Sequence, residues 1–145
     1  MRINVSTDYA IRTLLFAGTH PSRLVTVKEV AEAQRISENH LMKIVWILSK
    51  LDLLRTIRGR GGGFKLAKPA TQIKVSEVVL QFEKMTHSTD AERSYIGGYA
   101  IPYVMDKAYS LFIDSLHSTT LNDLLIIESQ KNNKNDVYEK SRSRT

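Results

Sequence analysis

Different rhythms of apolar and polar positions divide this chain. From Ser37 the apolar residues Leu41, Ile44, Val45 and Leu48 recur at spacings of three and four, the period of a helix with one buried face. Ser37 can cap that helix by accepting from the amide of His40, which puts Asn39, His40 and Lys43 on its leading turns. Trp46 and Ile47 carry its apolar surface beyond a single stripe, so part of it faces solvent or another subunit. After Leu54 the period shortens. Thr56-Ile57-Arg58 and Phe64-Lys65-Leu66 alternate on either side of a break from Gly59 to Gly63, which predicts two short strands joined by a flexible tip around Arg60.

Two helical patterns precede this stretch. The first carries Tyr9, Ala10, Leu14, Leu15 and Ala17, with Arg12 outward. Its expected cap is Ser6, Thr7 or Asp8, and its expected end lies near Gly18, before His20-Pro21-Ser22. The second opens at Thr26 with Glu29 three residues on, the spacing of a capping box. A short helix followed closely by another with small polar residues at its start is a helix-turn-helix, and the hairpin behind it makes the unit a winged helix.

Beyond Lys68-Pro69-Ala70 and an extended Ile73-Lys74-Val75, Ser76 is expected to cap a helix bearing Val78, Val79 and Phe82. Periodicity is lost between Thr86 and Gly98, which predicts a loop. A long amphipathic helix then begins near Ile101, with Pro102 suited to its first turn and Ile101, Val104, Met105, Ala108, Phe112, Ser115 and Leu116 along one stripe. Such a stripe needs a partner, either the body of the same chain or the equivalent helix of a second subunit, and the small surface of the winged-helix body favours the second. Thr120 to Leu125 predicts a short capped helix, and the polar run from Ser129 a disordered tail in which Arg142 and Arg144 add weak phosphate attraction. The expected architecture is mainly α with a small β-hairpin wing. It comprises a winged helix-turn-helix domain over 1–85, a loop over 86–98, a dimerisation helix and short following helix over 99–128, and a tail over 129–145.

Charge changes the picture from fold to partner. The chain carries a formal net charge of +6 over 145 residues. Residues 35–68 hold eight Lys or Arg against Glu38 and Asp52, so that segment accounts for the whole excess. Positive charge concentrated on one helix and one hairpin selects a polyanion, because phosphate neutralisation with counterion release drives nucleic-acid binding. An acidic protein bound by the same surface is the alternative of another class. No apolar run is long enough to span a bilayer, and no signal-peptide pattern opens the chain, so a cytoplasmic protein without a membrane partner is expected.

Helix-turn-helix geometry turns the basic segment into a residue set. The residues expected to face double-stranded DNA are Thr26, Ser37, Asn39, His40 and Lys43 on the helical pair, and Arg58, Arg60, Gly61, Gly62 and Lys65 on the wing. The Asn39 amide can pair with adenine in bidentate fashion, while His40 can donate to guanine or to a phosphate. Arg58 and Arg60 beside a glycine tip suit a narrow minor groove. The run Gly61-Gly62-Gly63 is no nucleotide-binding loop, since a strand follows it and the GK[ST] ending is missing. His20, His40, His87 and His117 are dispersed, no two at helical ligand spacing, and no nucleophile, base and orienting group converge. The chain is therefore not expected to be an enzyme or to hold a metal.

The stretches STDYAIRTL, SENHLMKIVWILSKLDLL, IRGRGGGFKLAKPATQIKVSEVV and TLNDLL together resemble the NsrR/IscR-like family of winged-helix regulators, over residues 1 to about 128. The resemblance implies a homodimeric transcription factor, a repressor, that binds a palindromic operator, with Ile101, Val104, Met105, Ala108, Phe112 and Leu116 in the dimer contact. It also implies three cysteines holding an iron–sulfur cluster, at positions that fall here on Ser88, Arg93 and Tyr99 when counted back from TLNDLL. The chain has no cysteine. Serine and tyrosine are hard oxygen donors and arginine is no ligand, so no cofactor is expected, and the effector is unknown. Asp8 matches an acidic cluster ligand of the nitric-oxide-sensing branch and is expected to cap the first helix here instead. The resulting expectation is a cluster-free regulator, with a nitric-oxide or redox response through a non-cysteine site as the alternative.

Overall fold

The structure, a computed structural model, describes residues 3–83 and 100–142. The expected loop over 86–98 and the positions Ser88, Arg93 and Tyr99 lie outside the described residues. Three helices, α1 (Val5–Gly18), α2 (Val27–Gln34) and α3 (Glu38–Lys50), lead into strands β1 (Leu54–Ile57) and β2 (Gly63–Leu66). A single 3-10 turn (Ala70–Gln72), α4 (Val75–Glu83), α5 (Ala100–Ser118) and α6 (Leu121–Arg142) follow. The strands pair antiparallel in the register Leu54 with Leu66, Arg55 with Lys65, Thr56 with Phe64 and Ile57 with Gly63. One core, built on Leu14, Val30, Leu41, Ile44, Leu48 and Phe64, joins the helices to the wing.

Local chemistry fixes the reading helices where the sequence placed them. Thr26 accepts from the amide of Glu29 at 3.1 Å, and the Glu29 carboxylate returns to the Thr26 amide, the reciprocal capping box. Ser37 accepts from the amide of His40 at 3.3 Å and opens α3. The buried face of α3 is Leu41, Ile44, Val45 and Leu48. Arg35 adopts a left-handed conformation at φ 55° between the two helices, which turns the chain sharply enough to place the α3 cap Ser37 two residues later.

Three boundaries differ from expectation. Helix α1 is capped by Asn4, not by Ser6, Thr7 or Asp8, because Asn4 satisfies both its own helix and a neighbour. Its side-chain oxygen accepts from the Thr7 amide at 2.8 Å while its Nδ2 donates to the Phe82 carbonyl at 2.6 Å. Asp8 sits one turn inside and pairs with Arg12 at 3.2 Å. Arg12 in turn is not simply outward, since it also donates to the side chain and the backbone carbonyl of Gln34 at the end of α2. Ser76 does not cap α4. The helix starts at Val75, Ser76 is buried, and its hydroxyl lies 3.3 Å from His117 Nδ1 on α5. Finally, the segment from Ser129 is not a disordered tail up to Arg142, for α6 runs unbroken over Leu121–Arg142. Thr120 and Asp123 cap its start, and no proline or glycine follows to break it after the apolar pattern thins out at Ile127.

Candidate nucleic-acid interface

The wing is tied to the helix-turn-helix by a third short strand segment. Val25, immediately before the capping residue Thr26, donates to the Phe64 carbonyl at 2.9 Å, and Phe64 donates back at 2.8 Å. Phe64 is 1% exposed, so the same residue anchors the wing in the core and to the start of α2. Gly63 makes this approach possible, because a Cβ there would stand 2.5 Å from the Val25 carbonyl oxygen. The tip closes through Gly62 donating to the Gly59 carbonyl at 3.0 Å. Gly59 and Gly61 have φ of 96° and 74°, the left-handed region that glycine enters without strain.

Each residue expected to face DNA can now be placed. Ser37, Asn39 and Lys43 are exposed on the first turns of α3, and Thr26 is exposed at the first turn of α2. The hydroxyls of Thr26 and Ser37 are engaged as caps, which leaves their second lone pair and proton for an outside partner. His40 is half-buried, with its ring edge-to-face on Tyr9 at 5.1 Å between centroids, so it is neither idle nor fully presented. Arg58, Arg60 and Gly61 are exposed at the wing tip, with half-buried Gly62 beside them, and Lys65 is exposed on β2.

Arg55 lies beside this set, although the sequence pattern counts it only among the eight cations of residues 35–68. Its cross-strand partner is Lys65, and both are exposed. Two cations directly opposite one another weaken a hairpin unless an anion lies against them. Among the described residues, ion pairs engage Arg12 with Asp8, Arg23 with Glu29 and Lys68 with Glu77. None of those described pairs takes up Arg35, Lys43, Arg55, Arg58, Arg60 or Lys65. The Glu29 carboxyl is held below its usual range by the hydrogen bond from Arg23, so the acid nearest Thr26 is neutralised by its own neighbour.

The residues expected at a dimer contact lie along α5, none of whose residues is buried. Ile101 is 73%, Val104 58% and Met105 63% exposed, Ala108 is exposed, and Phe112 and Leu116 are half-buried. The helix is nevertheless fixed at its end. Val75 donates to the Thr119 carbonyl at 3.0 Å, and Leu121 donates to the Ile73 carbonyl at 2.9 Å. No helix among the described residues is long and apolar enough to cross a membrane.

A family model described as Rrf2, an iron-dependent transcriptional regulator, matches residues 3–126. The chain is 37% identical over 137 residues to the HTH-type transcriptional regulator NsrR of Oceanobacillus iheyensis, covering 90% of this chain and 93% of that protein. It is 35% identical over 134 residues to NsrR of Bacillus subtilis, covering 86% and 90%. Among solved structures, IscR of T. potens superposes with a TM-score of 0.72 at 24% identity over 88% of each chain. CymR, the global cysteine regulator of B. subtilis, superposes at 0.71 and 22% identity over 88% of this chain and 98% of that one. Both share the mainly helical fold with its hairpin. The donor set here does not fit an iron–sulfur cluster. There is no cysteine in the sequence, and among the described residues no three His, Asp or Glu side chains converge as a metal site.

Proposed function

The chain belongs to the Rrf2 family of transcriptional regulators, and from that footing we propose that it is a cytoplasmic, homodimeric, cluster-free repressor that reads a palindromic operator, and not an enzyme. The observation that carries this reading is the unpaired basic surface formed by α3 and a wing that the Val25–Phe64 bridge holds beside the start of α2. In this arrangement Asn39 pairs with an adenine edge, while Lys43 neutralises phosphate. Arg58 and Arg60 follow the backbone into the minor groove, and Gly61 and Gly62 let the tip approach without side-chain collision. Thr26, Ser37 and His40 contribute polar contacts at the helix starts, and Arg55 and Lys65 gain the anion that offsets their mutual repulsion. The exposed apolar face of α5 supports dimerisation through Ile101, Val104, Met105, Ala108, Phe112 and Leu116, and two-fold symmetry then requires a palindromic site.

Selection from random DNA followed by gel shifts at two salt concentrations tests the reading. Asn39→Ala is expected to cost about 1–3 kcal/mol on the selected duplex and to relax the base preference at one position. Arg60→Ala is expected to weaken all duplexes alike and to flatten the plot of log affinity against log salt by about one unit. Equal affinity of the unaltered protein for every duplex would refute specific readout. Anaerobic reconstitution with iron and sulfide is expected to leave no iron–sulfur absorption band and no stoichiometric iron, and their appearance would overturn the cluster-free assignment.

A further inference from the structure

Trp46 and Met42 have no part in the core or in the contacts above. Trp46 is 63% and Met42 51% exposed, one turn apart on α3. With Asn39, Lys43 and Lys50 they form the solvent stripe of the helix, opposite Leu41, Ile44, Val45 and Leu48. Apolar surface of this size on one flank is unfavourable in water unless a partner covers it. The surrounding charge identifies that partner. Lys43 has no ion pair among the described residues, and the Lys50 ammonium stands 5.7 Å from the Trp46 ring centroid. An occupant must therefore be anionic overall yet offer apolar groups to the middle of the stripe. The DNA major groove does so, and the apolar group displayed there by a base edge is the thymine methyl.

We propose that Met42 and Trp46 read thymine methyl groups, so that each operator half-site carries thymine opposite the middle of α3. This rests on the DNA-binding reading and extends it to base preference. Trp46 lies seven residues beyond Asn39, about 10.5 Å along the helix axis. At about 3.4 Å per step, that spans roughly three base pairs for a helix lying along the groove. Asn39 and Trp46 thus read separate positions. Lys50 packs its cation over the indole and carries charge toward the phosphates beyond it.

The chain has a single tryptophan, which makes the contact measurable without a label. On titration with a duplex selected from random DNA, Trp46 emission is expected to shift to the blue and to lose its quenching by iodide. Replacing each thymine by deoxyuridine in turn removes one methyl, and the unaltered protein is expected to lose about fourfold in affinity at one or two positions. Trp46→Ala is expected to bind the selected duplex about tenfold more weakly and to be indifferent to deoxyuridine at the position it reads. Met42→Ala is expected to lose sensitivity at a neighbouring position. Specific binding with unchanged emission, a flat deoxyuridine scan of the unaltered protein, or identical scans for the protein and its variants would each overturn the proposal while leaving DNA binding intact. Uniform binding of all duplexes would remove both. The scan of the unaltered protein needs no variant, so it decides the matter even if a substitution perturbs the fold.

Discussion

At the scale of single residues, the glycines of the wing separate two kinds of constraint that look alike in sequence. Gly61 stands at φ 74° with open space where a side chain would go, so Gly61→Ala meets only left-handed strain of about 1–2 kcal/mol. Gly63 has no such conformation, but a Cβ there would lie 2.5 Å from the Val25 carbonyl oxygen. Gly63→Ala is therefore expected to separate the wing from α2 at a cost of about 2–3 kcal/mol, read as a drop in melting temperature larger than that of Gly61→Ala. The glycine run announced a turn because turn chemistry is local. The demand on Gly63 comes from a backbone segment almost forty positions earlier, and no local pattern carries it. Asn4 teaches the same thing. Ser6, Thr7 and Asp8 are all competent caps, but the cap is Asn4, which also donates to Phe82 and Glu83 on α4, while Thr7 gives its hydroxyl to Glu83 instead.

At the scale of elements, α2 and α3 begin where their capping residues say they should, because a capping box and a serine cap are complete within three or four residues. Helix α4 is different. Its start is set by Glu77, whose carboxylate accepts from the Lys74 amide at 2.9 Å and pairs with Lys68 at 3.0 Å. Burial pushes the Glu77 carboxyl up, but the Lys74 amide and the Lys68 ammonium together bring it below its usual value. A carboxyl lowered in the folded state stabilises the fold above its unfolded pKa, and that contribution disappears as pH falls through the folded value. Glu77→Gln is thus expected to lower the melting temperature at pH 7, and the gap to the unaltered protein should close as pH falls from about 4.5 toward 3, which thermal melts across that range would check. The effect is modest because both partners are about a third exposed. Ser76 misled the reading of this helix because a serine before a helical run has two uses, and the His117 ring on α5, which the local pattern does not see, selected the second.

At the scale of the whole molecule, the fold and the exposed basic face of α3 and the wing were legible because a winged helix concentrates its signals in one continuous segment. The extent of α6 was not. Its continuous apolar pattern ends at Ile127, with only Val137 and Tyr138 beyond it, and periodicity that sparse does not announce a helix. Helix α5 keeps Ile101, Val104 and Met105 exposed, and the proposed dimer would cover them. Ile101→Glu with Met105→Glu is expected to give monomers by analytical ultracentrifugation and, by losing simultaneous engagement of two half-sites, to weaken operator binding on the order of a hundredfold. A dimer size unchanged by that pair would place the contact elsewhere. The double hydrogen bond between Val25 and Phe64 bears on how such an assembly could be switched. With the helix pair and the hairpin tied together by that bridge, a signal acting on the proposed dimer would have little room to alter which bases either half recognises. In that dimer it would act as a calliper, changing the gap between two pieces that would have to match grooves about 34 Å apart, where an error of one base-pair step spoils the fit.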